Sequence, residues 1–197
     1  AKRNNTIAVL KKWLPKKITP NQSELFVFFS GHGYPSEDEG LHLIPQDGDP
    51  TMLEDTSLSH KTIIKLIQAT KPKSVTMFID ACYSGQSNTG EVLVAGLKPL
   101  GALETDEDIP PNFNIFSSSM SSQVSATIRQ AKHGIFSYYL MKGLSGEADL
   151  DPKDDKITNS ELYVYLQAAV AQEAFTQNRE QNPMLTSENP DQILMEY

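Results

Sequence analysis

Two short apolar runs, each ending in small and polar residues, constrain the fold of this chain more than any other feature. The first run, LFVFF (residues 25–29), stops at SGHG (30–33), and the second, VTMFI (75–79), stops at DACYSG (80–85). Continuous apolar runs of this length are typical of strands that are buried on both faces of a parallel sheet. We therefore expect both runs to lie inside such a sheet, each followed by a loop.

Helical periodicity fills much of the chain between and after these runs. We expect helices over residues 6–14, 57–69, 134–144 and 158–175, and further strands over 112–116 and 192–195. Ser57 or Ser59 is suited to cap the second helix, and Thr158 with Glu161 predicts a capping box at the last one. Strands alternating with helices predict an α/β fold with a mainly parallel sheet.

Composition excludes several classes of protein. The 197 residues correspond to one domain, within which residues 86–111 form a long loop without periodicity. The chain has a single cysteine and no run near the roughly 18 apolar residues of a membrane span, so a disulfide scaffold and a transmembrane protein are excluded. We expect a reducing, cytoplasmic setting. The net charge of −8 argues against binding to nucleic acid.

The polar stretches after the two runs contain a histidine and the only cysteine. Because sites in parallel sheets form where the strands end, we expect His32 and Cys82 to meet there. An imidazole beside a thiol can take its proton and later protonate a leaving amine. The backbone N–H groups of Gly33 and Cys82 are candidates to bind an oxyanion. Either side chain alone would indicate an ordinary core cysteine or loop histidine, but the pair favours nucleophilic catalysis.

Asp80 provides a basis for substrate specificity. It lies two residues before Cys82, and in extended backbone such residues share a face, so its carboxylate can line the pocket beside the nucleophile. A buried carboxylate favours a cationic partner, which a substrate Arg or Lys would supply. The alternative is that Asp80 only caps a neighbouring loop.

Three segments of the chain carry a resemblance to a known family. FFSGHG (28–33), FIDACYSG (78–85) and HGIFSYYLMKGLSGEAD (133–149) resemble the caspase-like cysteine peptidases, in particular the metacaspase and bacterial orthocaspase branch, over nearly the whole chain. The resemblance implies a three-layer sandwich with helices on both faces of the sheet. It also implies a large-subunit-like part (1–85), a flexible loop (86–111) and a small-subunit-like part (112–197).

The resemblance also implies roles for individual residues. His32 is the base and Cys82 the nucleophile of a dyad that has no obligatory third member. In the metacaspase branch, residues matching Asp80 and Ser30 line a pocket for a basic side chain, whereas aspartate-cleaving caspases have glutamine in place of Asp80. We therefore expect a cysteine endopeptidase that cleaves after Arg or Lys through an acyl-enzyme. For Ser30 the alternative is ordinary turn chemistry before a glycine.

Two other functions are open to a chain of this kind. One is a catalytically idle caspase-like scaffold or regulatory module, which the presence of His32, Cys82 and Asp80 together disfavours. The other is a legumain-like or transamidase-like cysteine peptidase, to which DACYSG is less similar. All three functions predict an interaction with protein or peptide.

The chain departs from the family pattern at its start and in its long loop. The family's fold opens with a strand, a helix and a second strand, whereas this chain begins at the helix that follows them. We expect another chain or an N-terminal fragment to cover the apolar edge that this leaves at LFVFF. Self-cleavage at Lys98 is disfavoured by Pro99, which has no N–H, so Arg129 and Lys132 are better candidates.

The sequence predicts no required cofactor or metal. Several acidic residues resemble a calcium loop in composition; they are Asp149, Asp151, Asp154, Asp155 and Glu161. Their span is one residue too long for an EF-hand and has no central glycine. Some metacaspases need calcium, but no ligand set is readable here. His42 and His60 are expected at the surface or in packing, and His133 at a helix start.

Overall fold

The structure is a computed structural model that describes residues 1–36, 40–82, 109–119, 127–128, 133–150 and 153–197. The helices are α1 (Arg3–Ala8, continued by a π turn, Val9–Trp13, and a 3-10 turn, Leu14–Lys16), α2 (Leu53–Thr56), α3 (His60–Gln68), α4 (Ile135–Lys142, continued by a π turn, Gly143–Glu147) and α5 (Asn159–Thr176). The strands are β1 (Glu24–Ser36), β2 (Gly40–Ile44), β3 (Leu58–Ser59), β4 (Ser74–Cys82), β5 (Phe113–Ser117), β6 (Thr127–Ile128), β7 (His133–Gly134), β8 (Lys156–Thr158), β9 (Met184–Ser187) and β10 (Ile193–Glu196).

The main sheet of the described residues has six strands in the order β3-β2-β1-β4-β5-β9. Its centre is parallel, because β4 pairs in parallel with both β1 and β5. The outer pairings, β1 with β2, β2 with β3 and β5 with β9, are antiparallel. The predicted α/β class is confirmed, and the sheet is mixed around a parallel centre.

Two hydrophobic clusters lie on opposite faces of this sheet. Alternate side chains of β4 divide between them: Val75, Met77 and Ile79 join one cluster and Phe78 the other. The first cluster includes residues of α1 and α3, and the second includes residues of α4 and α5. This alternation follows from the two-residue period of a strand and produces the expected three layers.

The two apolar runs differ in burial. In β4 the described side chains from Ser74 to Ala81 are all buried, as predicted for a strand covered on both faces. In β1 the prediction is wrong on one face, where Phe26 and Phe28 are 53% and 56% exposed. One edge of β1 pairs with β4 over residues 24–32. On the opposite, outer edge β2 pairs with residues 32–36, and no strand in the described part of the chain pairs with residues 24–31 there.

The strands also run further than the sequence indicates. SGHG and the start of DACYSG were expected to be loops, but β1 continues to Ser36 and β4 to Cys82. The reason is pairing, since β2 lies antiparallel to residues 32–36 and β1 itself pairs with β4 up to Cys82. Glycine can therefore sit inside a strand when neighbouring backbone satisfies its polar groups.

Two predicted capping motifs are present, and the predicted last strand belongs to a separate small sheet. The Ser59 side chain accepts a hydrogen bond from the Thr62 backbone, and the Thr158–Glu161 capping box is present. The strand predicted near 192–195 exists as β10, but it pairs with β8 in a separate sheet. The sixth strand of the main sheet is β9, which we did not predict from its short, half-buried pattern.

Two histidines are buried beside the β1–β2 pairing. His42 and His60 are 1% and 4% exposed, so they pack inside the protein and are not at its surface. His42 Nδ1 lies 2.7 Å from Ser57 Oγ, and its ring packs at a tilt of 50° against Tyr34, with centroids 4.9 Å apart. Burial, and then the nearby His42, lower the pKa of His60 to about 4.

We predict that His60 makes the fold sensitive to mild acid. A histidine with a lowered pKa in the folded state takes up its proton first in the unfolded state. Stability is therefore complete above the ordinary histidine pKa of about 6.5 and decreases as the pH falls towards 4. Between pH 7 and pH 4 the free energy of unfolding should fall by roughly 3 kcal/mol less in His60→Asn than in the parent. Urea unfolding at each pH measures this difference. Parallel curves for both proteins would contradict the prediction.

We also predict that the exposed side of β1 makes the chain self-associate. An unpaired strand edge beside Phe26 and Phe28 is a template for pairing with other chains. Changing both to lysine should lower association in sedimentation velocity over a concentration series. Phe175→Lys is the matched control, because Phe175 is 80% exposed but lies on α5. Equal reduction by the control would show that the edge is not responsible.

Candidate active site

The pairing of β1 with β4 aligns the two residues that the sequence analysis singled out. His32 and Cys82 are direct partners in the parallel register, so their backbones are separated by about 4.8 Å. Ser30 and Asp80 are partners two residues earlier, after the intervening pair Gly31 and Ala81, and so form the next row on the same face of the sheet. The strand ends thus bring four predicted site residues into two successive rows of one face. The side chain of Cys82 lies outside the described part of the structure.

The imidazole of His32 borders a cavity. The cavity has a volume of about 350 Å³ and is also lined by Ser30, Gly31, Pro45 and Gln46. His32 Nδ1 is buried and has no hydrogen-bond partner among the described residues. Its ring is therefore not held by a carboxylate in this part of the chain.

Gly33 lies one residue beyond the His32–Cys82 row. It is buried where β1 pairs with β2, opposite Leu43. Gly33 and Cys82 are therefore near the same end of the sheet, which is the condition for their N–H groups to act together. Their role in binding an oxyanion stays a prediction.

Asp80 is turned towards the start of α4 and is 6% exposed. The hydroxyl of Ser137 donates a 2.5 Å hydrogen bond to Asp80 Oδ2, and the Ser137 backbone N–H also donates to the carboxylate. Burial raises the pKa of Asp80, while the bonds from Ser137 and a weaker one from Ser118 act to lower it. The hydrogen bonds therefore favour the ionised carboxylate and oppose the larger effect of burial.

The start of α4 is built to receive this carboxylate. Its N-cap residue is Gly134, which has no side chain to bond the free backbone donors of the first turn. A Cβ at Gly134 would overlap Asp80 Oδ2. Asp80 therefore caps α4 from a neighbouring strand. We missed Gly134 and Ser137 in the sequence, where the available signal was a helix that begins with glycine in place of a capping residue.

The two residues predicted to determine specificity, Ser30 and Asp80, occupy different surroundings in the structure. Ser30 is exposed and lines the cavity beside His32, whereas Asp80 lies under α4 and is not among the described residues of the cavity wall. The contacts of Asp80 are those of the capping alternative. A capping carboxylate can still act on a substrate, because Asp80 forms no ion pair with any described residue.

Other sequence predictions fall on different parts of the chain. Lys98, Arg129 and Lys132 lie outside the described residues, as does nearly all of the 86–111 loop. His133 belongs to β7, immediately before α4.

The described acidic residues of the calcium-loop-like segment bond to the chain itself, and Asp151 lies outside the described residues. Both Asp149 carboxylate oxygens accept backbone N–H bonds, from Asp154 and Asp155, and Oδ2 also accepts the hydroxyl of Tyr197. Among the described residues, no cluster of three metal-binding side chains is present. None of the helices described has the length and apolarity that crossing a membrane requires.

Comparison with known families agrees with this architecture. A family model described as the caspase domain, Peptidase_C14, matches residues 1–194. No curated protein matches the chain. The family match covers both central strands and the helices on either side of them. The chain therefore belongs to the caspase-domain family of cysteine peptidases.

Proposed function

We propose that this protein is a cysteine endopeptidase of the metacaspase branch that hydrolyses peptide bonds after Arg or Lys. The observation that carries the proposal is the β1–β4 register, in which His32 lies opposite Cys82 and Asp80 lies one row below. This arrangement supports a nucleophile, a base and a buried anion at one end of the sheet.

The reaction proceeds in two stages. His32 takes the proton of the Cys82 thiol, and the thiolate sulfur forms a bond to the substrate carbonyl carbon. The oxyanion that develops accepts hydrogen bonds from the N–H groups of Gly33 and Cys82. The C–N bond then breaks, and His32 donates its proton to the leaving amine. In the second stage His32 takes a proton from water, and the water oxygen bonds to the acyl carbon. The C–S bond then breaks, and His32 returns the proton to the thiolate.

The preference for a basic substrate follows from the surroundings of Asp80. Burial is the largest influence on its pKa and acts against ionisation, and no described cation compensates it. A guanidinium or ammonium group that approached the carboxylate would restore the ionised form and be held by it. The hydroxyl of Ser30, opposite Asp80 in the register, is available to the same side chain.

We propose a second kind of partner for the open edge of β1. Residues 24–31 pair with β4 on one edge, and on the other edge no described strand pairs with their backbone. This open edge lies next to Phe26 and Phe28 and leads to the cavity beside His32. An extended segment from another chain or from an N-terminal fragment would pair there by adding a strand. Such a segment would also bring further polar groups close to His32 Nδ1, which is buried and without a partner in the described structure.

The same specificity has a consequence for the chain's own basic residues. Arg129 and Lys132 offer self-cleavage sites to a peptidase that cuts after basic residues. Lys98 offers a poorer site, because Pro99 has no N–H at the scissile bond. The physiological setting consistent with an unpaired thiol nucleophile is the reducing cytoplasm.

We predict Cys82-dependent cleavage of peptides with Arg or Lys before the scissile bond. Fluorogenic peptides that differ only in that residue, carrying Arg, Lys, Asp or Asn, should separate by kcat/KM, with Arg and Lys at least about 100-fold above Asp. Cys82→Ala should abolish turnover of every peptide.

Each competing function gives a different pattern in this assay. Preference for Asn would favour a legumain-like peptidase, and preference for Asp would overturn the argument from Asp80. Specific binding of peptides without Cys82-dependent turnover would favour the idle scaffold. His32→Asn separates a base from a structural histidine, because it should lower kcat and leave the unfolding temperature nearly unchanged.

We predict that Asp80→Asn decouples stability from activity. A carboxyl whose pKa is raised by folding lowers the stability of the fold as the pH rises from its ordinary pKa of 3.8 through the raised value, because the unfolded chain releases the proton first. The variant should unfold at the same or a higher temperature at pH 7, and this gain should shrink as the pH falls and the parent carboxyl protonates. Its kcat/KM for the Arg peptide should fall about 100-fold.

Asp49→Asn is the matched control for this substitution. Asp49 is an exposed carboxylate whose pKa is lowered by hydrogen bonds from Thr51. The control should leave the Arg preference unchanged and should not raise the unfolding temperature at pH 7. Full Arg activity in Asp80→Asn would remove Asp80 from the specificity pocket.

A further inference from the structure

We propose that Gly134 and Ser137, at the start of α4, are positioning residues that hold Asp80 as the specificity-determining carboxylate. The inference rests on the proposed preference for basic substrates and extends it to two residues outside the strand ends. Helix α4, which follows β5 in the chain, would then help to determine which peptide bonds the peptidase cleaves.

Gly134 contributes space. As the N-cap of α4 it has backbone angles of φ −59° and ψ 148°, which any residue can adopt, so backbone conformation does not explain the glycine. What does explain it is the carboxylate, since a Cβ there would overlap Asp80 Oδ2. A side chain at position 134 would push Asp80 away from the helix or the helix away from the sheet.

Ser137 contributes two donors from one residue. Its backbone N–H belongs to the first turn of α4 and is free to bond outside the helix, and its hydroxyl bonds Oδ2 at 2.5 Å. A pair of donors from one turn restricts the rotation of the carboxylate more than a single contact would. The partial positive charge at the helix start acts in the same direction.

No charged group in the described structure competes for this role. Facing Asp80 are Ser30 from β1, Ser118 after β5 and Ser137 from α4. His32 and Cys82, which are titratable, lie one row above Asp80 in the register. No described charge contributes to the raised pKa of Asp80, so its ionisation depends on hydrogen bonds from serine.

Loss of the Ser137 hydroxyl should therefore act in two ways. It removes a bond that lowers the pKa of Asp80, so the carboxylate becomes ionised only at a higher pH. It also leaves Oδ2 free to rotate away from the substrate. Both effects weaken binding of a cationic side chain and leave the Cys82–His32 chemistry in place.

The test measures binding in a Cys82→Ala background, where no cleavage occurs. Two blocked peptide amides that differ only at the last residue, Arg or its neutral isostere citrulline, are titrated by calorimetry from pH 5 to pH 8. The ratio of the two affinities reports only the effect of the positive charge on the peptide's last side chain. Effects of His32 protonation that are common to both peptides cancel in this ratio. We expect Ser137→Ala to lower the Arg-to-citrulline affinity ratio on the order of tenfold at pH 6. The pH at which half of the preference for Arg is lost should also move upwards.

Matched variants separate the hydroxyl from the shape of the side chain. Ser137→Thr keeps the hydroxyl and should keep the affinity ratio of the parent. Ser137→Val has nearly the shape of the threonine variant without the hydroxyl and should not. Ser145→Ala is the control, because Ser145 lies in the π turn that continues α4 and its hydroxyl donates to the Met141 carbonyl at 2.7 Å, away from Asp80. The Thr and Val variants also keep the test valid if the alanine variant does not fold.

The possible results distinguish this inference from the proposed function. Equal affinity for the Arg and citrulline peptides in the parent would overturn the proposed basic specificity and the inference with it. A parent preference for Arg that persists at every pH in Ser137→Ala and Ser137→Val would overturn the role of Ser137 and leave the proposed function standing. A ratio that falls in these variants and returns in Ser137→Thr would support it.

Discussion

The parallel register between β1 and β4 is the constraint on which the candidate site depends. It runs from Glu24 opposite Ser74 to His32 opposite Cys82 without interruption. A slip by one residue would turn the whole of β1 to the opposite face, and a slip by two would separate His32 from Cys82 by a full row. The buried side chains of β4, which belong to two cores at once, restrict the position of that strand. The geometry of the site is therefore a consequence of core packing.

Hydrogen bonding compensates the buried charge at this end of the sheet. On the α4 face of β4, apolar packing ends at Phe78, and the next residue on that face is Asp80. Burying a carboxylate without partners would be costly, and the first turn of α4 supplies donors in its place. The cost is only partly offset, because the pKa of Asp80 remains raised. A carboxylate in this condition still favours an approaching cation, so the same burial that strains the fold suits recognition of a basic side chain.

Sequence patterns predicted the elements whose signals are local. The strand of residues 75–79, a serine cap on the second predicted helix and the Thr158–Glu161 capping box depend on neighbours in the chain. All three are present, and of the two candidate serines Ser59 is the cap. The predictions failed where long-range contacts decide the outcome. LFVFF is as apolar as VTMFI, yet one face of it is exposed, because the helices packed on β4 and β5 do not reach it in the described structure. Strand β9 was missed because its pairing with β5, a long way back in the chain, and not its composition, makes it a strand.

The sequence by itself determined the α/β class and the family. It also predicts which residues would carry nucleophile-and-base chemistry, from the apolar runs and the types of residue at their ends. Only the tertiary structure decided what Asp80 contacts. From the sequence, pocket carboxylate and capping carboxylate were alternatives, and folding makes Asp80 the cap of α4 through Gly134 and Ser137. The physical reason is distance along the chain: Ser137 lies 57 residues beyond Asp80, and only packing of α4 against β4 brings its donors to the carboxylate.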